Sequence, residues 1–184
     1  MQNRTTVKRL AINAVMVAVY VALTWLVIPI GGLKITFEHF PVVLCAVLFG
    51  PVDAMLVGGV GELINQLMTF GLTPTTVLWI LPIIVRGFLV GVGAKVLKNE
   101  MNLSAIVSKK YPIVFMLVCV GSGIISSLLN TLALYVDSRM FGYYSFAMVF
   151  GALAVRILLS VLTSVVIGIA VKPIIIALRK SRLL

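Results

Sequence analysis

Apolar residues along this chain neither alternate nor keep to one helical face. They run in long blocks separated by short polar or turn-forming breaks. A helix needs about 20 predominantly apolar residues to cross the hydrocarbon core of a bilayer. The first block runs from about Leu10 to Ile28, stops at Pro29-Ile30-Gly31-Gly32, and gives way to a short linker carrying Lys34. The second, from about Phe37 to Phe49, is short and opens with Glu38-His39-Phe40-Pro41; Gly50-Pro51 then makes a tight turn. The third runs from Val52 to about Phe70, ahead of the turn-rich Gly71-Leu72-Thr73-Pro74-Thr75-Thr76. The fourth covers about Val77 to Val96, with Pro82 in its first half, and Lys98 to Lys110 is the longest polar connection. The fifth covers about Ile113 to Val136, followed by a loop from Asp137 to Tyr144. The sixth, from about Phe146 to Leu178, is long enough to contain a break or to extend past the bilayer. No internal repeat or low-complexity tract is visible. The pattern predicts a single domain over 1–184, an all-α integral membrane protein with six transmembrane helices.

Composition supports that reading. Of 184 residues, 61% are hydrophobic and 11% are charged, where a soluble domain is about a quarter charged. A formal net charge of +10 would point to nucleic acid in a soluble chain. Here the charges gather at the ends of the apolar blocks, so a topological origin fits better. Arg4, Lys8, Arg9, Lys95, Lys98, Lys109, Lys110, Lys172, Arg179, Lys180 and Arg182 fall at one set of ends, whereas the opposite set has only Lys34 and Arg139. Cytoplasmic loops carry the excess of Lys and Arg, so both termini are expected in the cytoplasm of a multi-pass cell-membrane protein. Lys8 and Arg9 lead directly into a full-length span, and no cleavable signal peptide is expected. Cys45 and Cys119 lie in apolar runs and read as small buried hydrophobes.

Within this frame the polar residues of the spans become informative. Glu62, Asn65 and Gln66 fall at i, i+3 and i+4 on one helical face, just after Gly58, Gly59 and Gly61. The expected topology places them in the outer half of the third span. Glu38 and His39 begin the second span at that level, Thr76 and Trp79 begin the fourth, and Asn130, Thr131 and Tyr135 end the fifth. Polar groups from several helices thus converge on one outward-facing region, as in a small-molecule pocket. Taken singly, such residues are as often interhelical hydrogen bonds. Arg86 and Arg156 fall about halfway along their spans, where a lone charge costs about 3 kcal/mol on insertion scales. Glu62 paired with one of these arginines is the expected arrangement, either as part of the pocket or as a lock on helix packing. Asp53 stands where it can cap the third helix. His39 lacks a cluster of metal-ligating partners, so neither metal nor cofactor is expected. No phosphate-binding loop, His-Glu-x-x-His or Gly-x-Ser-x-Gly sequence is present, so an enzymatic reading has no motif to stand on.

The first block carries a second pattern. Ala14, Ala18 and Ala22 repeat at i, i+4 and i+8, with Val17, Val21 and Leu23 beside them. Small residues at this spacing let another helix approach closely in lipid. The partner is either a neighbouring helix of the same chain or another protein.

A small basic six-span chain with such a stripe resembles the substrate-binding S components of energy-coupling factor (ECF) transporters. Phe40-Pro41-Val42-Val43-Leu44 followed by Leu48-Phe49-Gly50-Pro51 is similar to that family's "F-P-hydrophobic … L-F-G-P" passage. Leu129-Asn130-Thr131-Leu132, with Arg156 in the sixth span, looks like the folate-type members. Leu72-Thr73-Pro74-Thr75-Thr76-Val77-Leu78-Trp79 departs from those members, which have "P-G-F-T-L-S-A" before the fourth helix. The resemblance implies a subunit that captures a vitamin at its outer face. It docks through Ala14, Ala18 and Ala22 onto a membrane T component driven by two cytoplasmic ATPases, and topples to release substrate inside. Folate or a related vitamin is the implied ligand, with cobalamin or a pyridoxine-like compound as the alternative. A cationic pocket (Arg86, Arg156, Arg139) suits a carboxylate, whereas charges paired internally suit a larger, nearly neutral ligand. A function of another class stays open on the residues alone: a stand-alone secondary transporter with Glu62 as its proton-coupling carboxylate.

Overall fold

A computed structural model describes residues 2–30, 33–100 and 110–180. Seven helices and one hairpin follow in order: α1 Gln2–Trp25, β1 Ile28–Ile30, β2 Leu33–Ile35, α2 His39–Phe49, α3 Pro51–Phe70, α4 Thr76–Glu100, α5 Lys110–Met140, α6 Phe146–Phe150 and α7 Leu153–Lys180. Among the expected features, Gly31-Gly32, Lys109 and Arg182 lie outside the described residues.

Two differences from the all-helical expectation have clear local causes. The stretch expected to be only a stop and a linker forms a two-stranded antiparallel hairpin, pairing Ile28 with Ile35, Pro29 with Lys34 and Ile30 with Leu33. The β-branched residues favour the extended backbone, and a two-stranded ribbon consists of edges, where proline is tolerated. The sixth apolar block is broken at Gly151-Ala152 into α6 and α7.

Among the described residues, four segments are long and apolar enough to cross a membrane: Val7–Trp25, Thr76–Leu97, Ile113–Met140 and Phe146–Val171. Helix α3 has 20 residues but carries Asp53 and Glu62. Helix α2 has 11 residues, about 16 Å of helix, roughly half the thickness of the hydrocarbon core. The second apolar block is thus a short helix, as its length suggested, and four of the six expected spans meet the length and hydropathy of a full crossing.

The short helix α2 is the post around which the others stand. Pro41 through Ala46 are all buried, as expected for a helix that is apolar on every side. It touches α1, α3, α4 and α7. Its Val42, Val43 and Cys45 form the core with Ala54 and Val57 of α3, Val90 of α4, Cys119 of α5 and Ile167 of α7. Cys45 and Cys119 are both free thiols within that core. The chain reverses from α2 into α3 at Gly50, whose φ of 100° is disfavoured for residues with a Cβ. Pro51 then takes the first helical position, where its missing N–H costs nothing.

Helix α4 approaches α3 through Gly87 and Gly91, four residues apart. A Cβ at Gly87 would stand 2.9 Å from the Ala54 carbonyl group, and one at Gly91 would overlap the backbone of Pro51. This small-residue pair permits backbone-to-backbone packing. On the far side, α5 packs between α4 and α7, and Ser126 Oγ of α5 donates to the Pro82 carbonyl of α4 at 3.2 Å.

Candidate functional site

A polar cavity of about 180 Å³ lies between the start of α2 and helices α4, α5 and α7. His39, Arg86, Asn130 and Arg156 line it, together with Thr36, Gly123, Ser126, Ser127, Ser160 and Thr163. Four of the residues singled out in the sequence are thereby brought together from four helices. Gly123 sits where a Cβ would stand 2.5 Å from Ser164 Oγ and 2.9 Å from Ser160 Oγ, so its absence lets α7 bring its hydroxyls close to α5.

The two arginines reach the cavity in different states. Arg86, in the middle of α4, is 1% exposed. Its Nη2 donates to Ser164 Oγ at 2.9 Å, while its Nε has no hydrogen-bond partner. Arg156 lies in the first turn of α7, just after the break at Gly151-Ala152 and near the middle of the apolar segment Phe146–Val171. There it donates to the carbonyls of Val149 at 3.2 Å and Met148 at 3.1 Å. These carbonyls close the C-terminal end of α6, which has no downstream turn to satisfy them. His39 brings an Nδ1 that is buried and without a partner. Its Nε2 lies 4.0 Å from Glu38 Oε1.

The remaining expected residues fall elsewhere. Glu38 and Asn65 line a second cavity of about 470 Å³ beside the hairpin, with Thr24, Trp25, Thr36 and Phe70. Gln66 and Trp79 line a third, of about 360 Å³, with Phe70, Asp137, Phe141 and Tyr143. Thr76 Oγ1 accepts from the Thr73 backbone N–H at 3.0 Å and thereby shapes the loop into α4. Tyr135 stacks edge-on against Tyr144 at 5.5 Å, and the Arg139 guanidinium lies 5.9 Å and 5.0 Å from those two rings. Arg139 belongs to this aromatic cluster rather than to the polar cavity.

Glu62 does not pair with either arginine. Tyr20 Oη donates to its Oε2 at 2.9 Å and Asn65 Nδ2 to the same oxygen at 3.3 Å, while Gln66 Nε2 donates to Oε1 at 2.7 Å. Three donors satisfy the carboxylate locally, so it has no need of a distant guanidinium. The Tyr20 ring lies against Gly61, where a Cβ would come within 2.5 Å of it, and this contact fastens α1 to α3. Asp53 stands in the first turn of α3 and ties it to α1. It pairs with Arg9, whose Nε donates to Oδ1 at 2.8 Å, and it accepts from Asn13 Nδ2 at 2.6 Å. Arg9, Asn13 and Tyr20 thus form the inner face of α1, leaving Ala14, Ala18 and Ala22 exposed on the outside.

Sequence reasoning missed several residues. Ser126, Ser127, Ser160 and Thr163 line the polar cavity yet looked like ordinary small residues of apolar helices. Ser160 and Thr163 stand three apart, and Ser160 and Ser164 four apart, so a polar face of α7 was present in the spacing.

The architecture is that of a multi-helix membrane protein with a polar cavity walled by helices. It is similar to the solved structure of the S component of a bacterial ECF transporter, with a TM-score of 0.58 at 20% identity, over 98% of this chain and 96% of that one. No curated protein matches the chain. Residues 4–180 match the ECF-type riboflavin transporter S component family, and the chain belongs to that family. It is a family of transport components rather than of enzymes, as expected. The vitamin in the family's description is not the expected folate.

Proposed function

We propose that this chain is the vitamin-capturing subunit of an ECF-type importer, and that its ligand is a flavin, riboflavin or a close relative. The match of residues 4–180 to the riboflavin-type family carries this reading. The cavity supports it, since hydroxyls of Ser126, Ser127, Ser160 and Thr163 and the Asn130 amide suit a ligand rich in hydroxyl and carbonyl groups. The excess of Lys and Arg at one set of ends supports cytoplasmic termini and an outward-facing cavity. The exposed face of Ala14, Ala18 and Ala22 is the docking surface for a membrane T component, which two cytoplasmic ATPases serve. Proton-coupled transport by this chain alone receives no support, because Glu62 is engaged by three donors and lines none of the three cavities described.

The direct test is the ligand. Protein purified from riboflavin-fed cells is expected to carry flavin absorbance, and added riboflavin raises its unfolding temperature by mass action. Stabilisation by folate or cobalamin with no response to flavins sinks the ligand assignment. Uptake into vesicles requires the T component and ATP hydrolysis; uptake by this chain alone, driven by a proton gradient, sinks the subunit assignment.

A further inference from the structure

The cavity between α4, α5 and α7 has an unbalanced charge. Its lining includes Arg86, Arg156 and His39 but no carboxylate. Arg86 is 1% exposed and has no ion-pair partner among the described residues. Its one hydrogen bond goes to a neutral hydroxyl, Ser164 Oγ, and its Nε has none. His39 Nδ1, brought to the cavity by α2, is likewise buried and unpartnered, while its Nε2 lies 4.0 Å from Glu38 Oε1. A guanidinium held at membrane depth without a counter-charge is costly. So is each buried polar atom left without a partner. Elsewhere the fold does not leave such groups open: Glu62 gathers three donors, Arg9 is paired with Asp53, and Arg156 is bonded to two carbonyls. Among the described residues, both exceptions belong to side chains that line this cavity, and both side chains are basic.

We propose that Arg86 Nε and His39 Nδ1 form an oxyanion subsite in this cavity, so that the preferred ligand of this chain is anionic. Building on the flavin reading, that ligand is a flavin bearing a phosphate ester rather than the neutral vitamin. The oxyanion supplies the charge that Arg86 lacks and accepts from the unpartnered nitrogens. Guanidinium–oxyanion bonds of this kind are about twice as strong as neutral ones. Arg156 adds positive potential at the α7 side of the cavity, and Ser160 and Ser127 place hydroxyls along the same lining. A carboxylate-bearing ligand would meet the same chemistry, so the two sources must be separated by experiment.

The test uses the full chain in detergent, with affinities measured for riboflavin, riboflavin 5′-phosphate and folate. The phosphorylated flavin is expected to bind at least about tenfold more tightly than riboflavin, the worth of one charge-assisted hydrogen bond. Arg86→Gln is expected to collapse that ratio to about one. His39→Gln narrows it and serves if Arg86→Gln does not fold. In the unaltered chain, inorganic phosphate is expected to raise the unfolding temperature, while chloride at matched ionic strength does not. Equal affinity for the two flavins, or tighter binding of riboflavin, overturns the oxyanion subsite and leaves the flavin reading standing. Folate binding that depends on Arg86, with neither flavin bound, overturns the flavin reading and supports the subsite. No binding of any of the three and no stabilisation by phosphate overturns both.

Discussion

Glu62 shows how a costly residue is kept in an apolar bundle. Its oxygens accept from Tyr20, Asn65 and Gln66, and Tyr20 is 1% exposed. Removing the carboxylate leaves three donors without an acceptor, each a loss of about 1–3 kcal/mol. Glu62→Ala is therefore expected to destabilise the protein by about 3 kcal/mol in denaturation experiments, with vitamin affinity changed less than about threefold. A large affinity loss would return Glu62 to the binding site. A milder case lies in the loop after α5, where Tyr143 donates to Asp137, which also accepts from Thr75. The bond to Asp137 pushes the Tyr143 phenol up from an ordinary value of 10.0 to about 12. Because the folded value is the higher one, the contribution of this bond is complete below about pH 10. It is lost as pH rises through about 12. Tyrosinate absorbance is expected to show a late-titrating phenol that returns toward 10 in Asp137→Asn; an unchanged titration would refute the bond. The i, i+3, i+4 spacing made Asn65 and Gln66 legible as companions of Glu62. Tyr20 was not legible, because its contact joins two helices 42 positions apart in sequence. The expected arginine pairing failed for the same reason: charge alone does not say which neutral donors stand closer.

At the scale of elements, the apolar blocks located the helices well, and the turn residues at Gly50-Pro51 and Gly71 marked their ends. The hairpin was missed because three-residue strands leave almost no periodic signal. The break between α6 and α7 was allowed for by length but not placed, since Gly151-Ala152 lies inside continuous apolar sequence. A third signal was present and unread. Gly87 and Gly91 are four apart on α4 and let it meet the backbone of α3 at Ala54 and Pro51. Backbone cannot yield as a side chain does, so Gly91→Val forces the helices apart. The expected loss is on the order of 3 kcal/mol, read as a lowered unfolding temperature in detergent. An unaltered unfolding temperature would mean that this approach is looser than described. The cavity follows from the same packing, because its walls are the helices that α2 and these close contacts hold in register.

For the whole molecule, the two faces of α1 separate two tasks. Its inner side is fastened to the bundle by Arg9 and Asn13 on Asp53 and by Tyr20 on Glu62. Its outer side presents Ala14, Ala18 and Ala22. Ala18→Trp places a large ring on that smooth surface without touching the inner contacts. It is expected to leave ligand affinity and stability near those of the unaltered chain and to reduce uptake by the assembled transporter at least about tenfold. Uptake that persists would remove the alanine face from the docking surface. Membrane class, helix order and this stripe could all be read from the sequence. The cavity could not, because its polar residues come from α2, α4, α5 and α7 and meet only in the folded chain.

The thin attachment of α1 has one more consequence. Only 11% of the residues in its membrane-crossing window are buried within the chain. In a bilayer, that open side is wetted by acyl chains, which pack against the alanines whenever no protein does. Assembly is then an exchange in which a strip of lipid leaves as a helix arrives. The balance depends on how well the departing tails had packed, so the same two proteins should associate differently in short-chain, long-chain and sterol-stiffened membranes. On the proposed docking role, the bilayer acts as a competitor for the alanine face, and its composition sets how readily that face meets a partner helix.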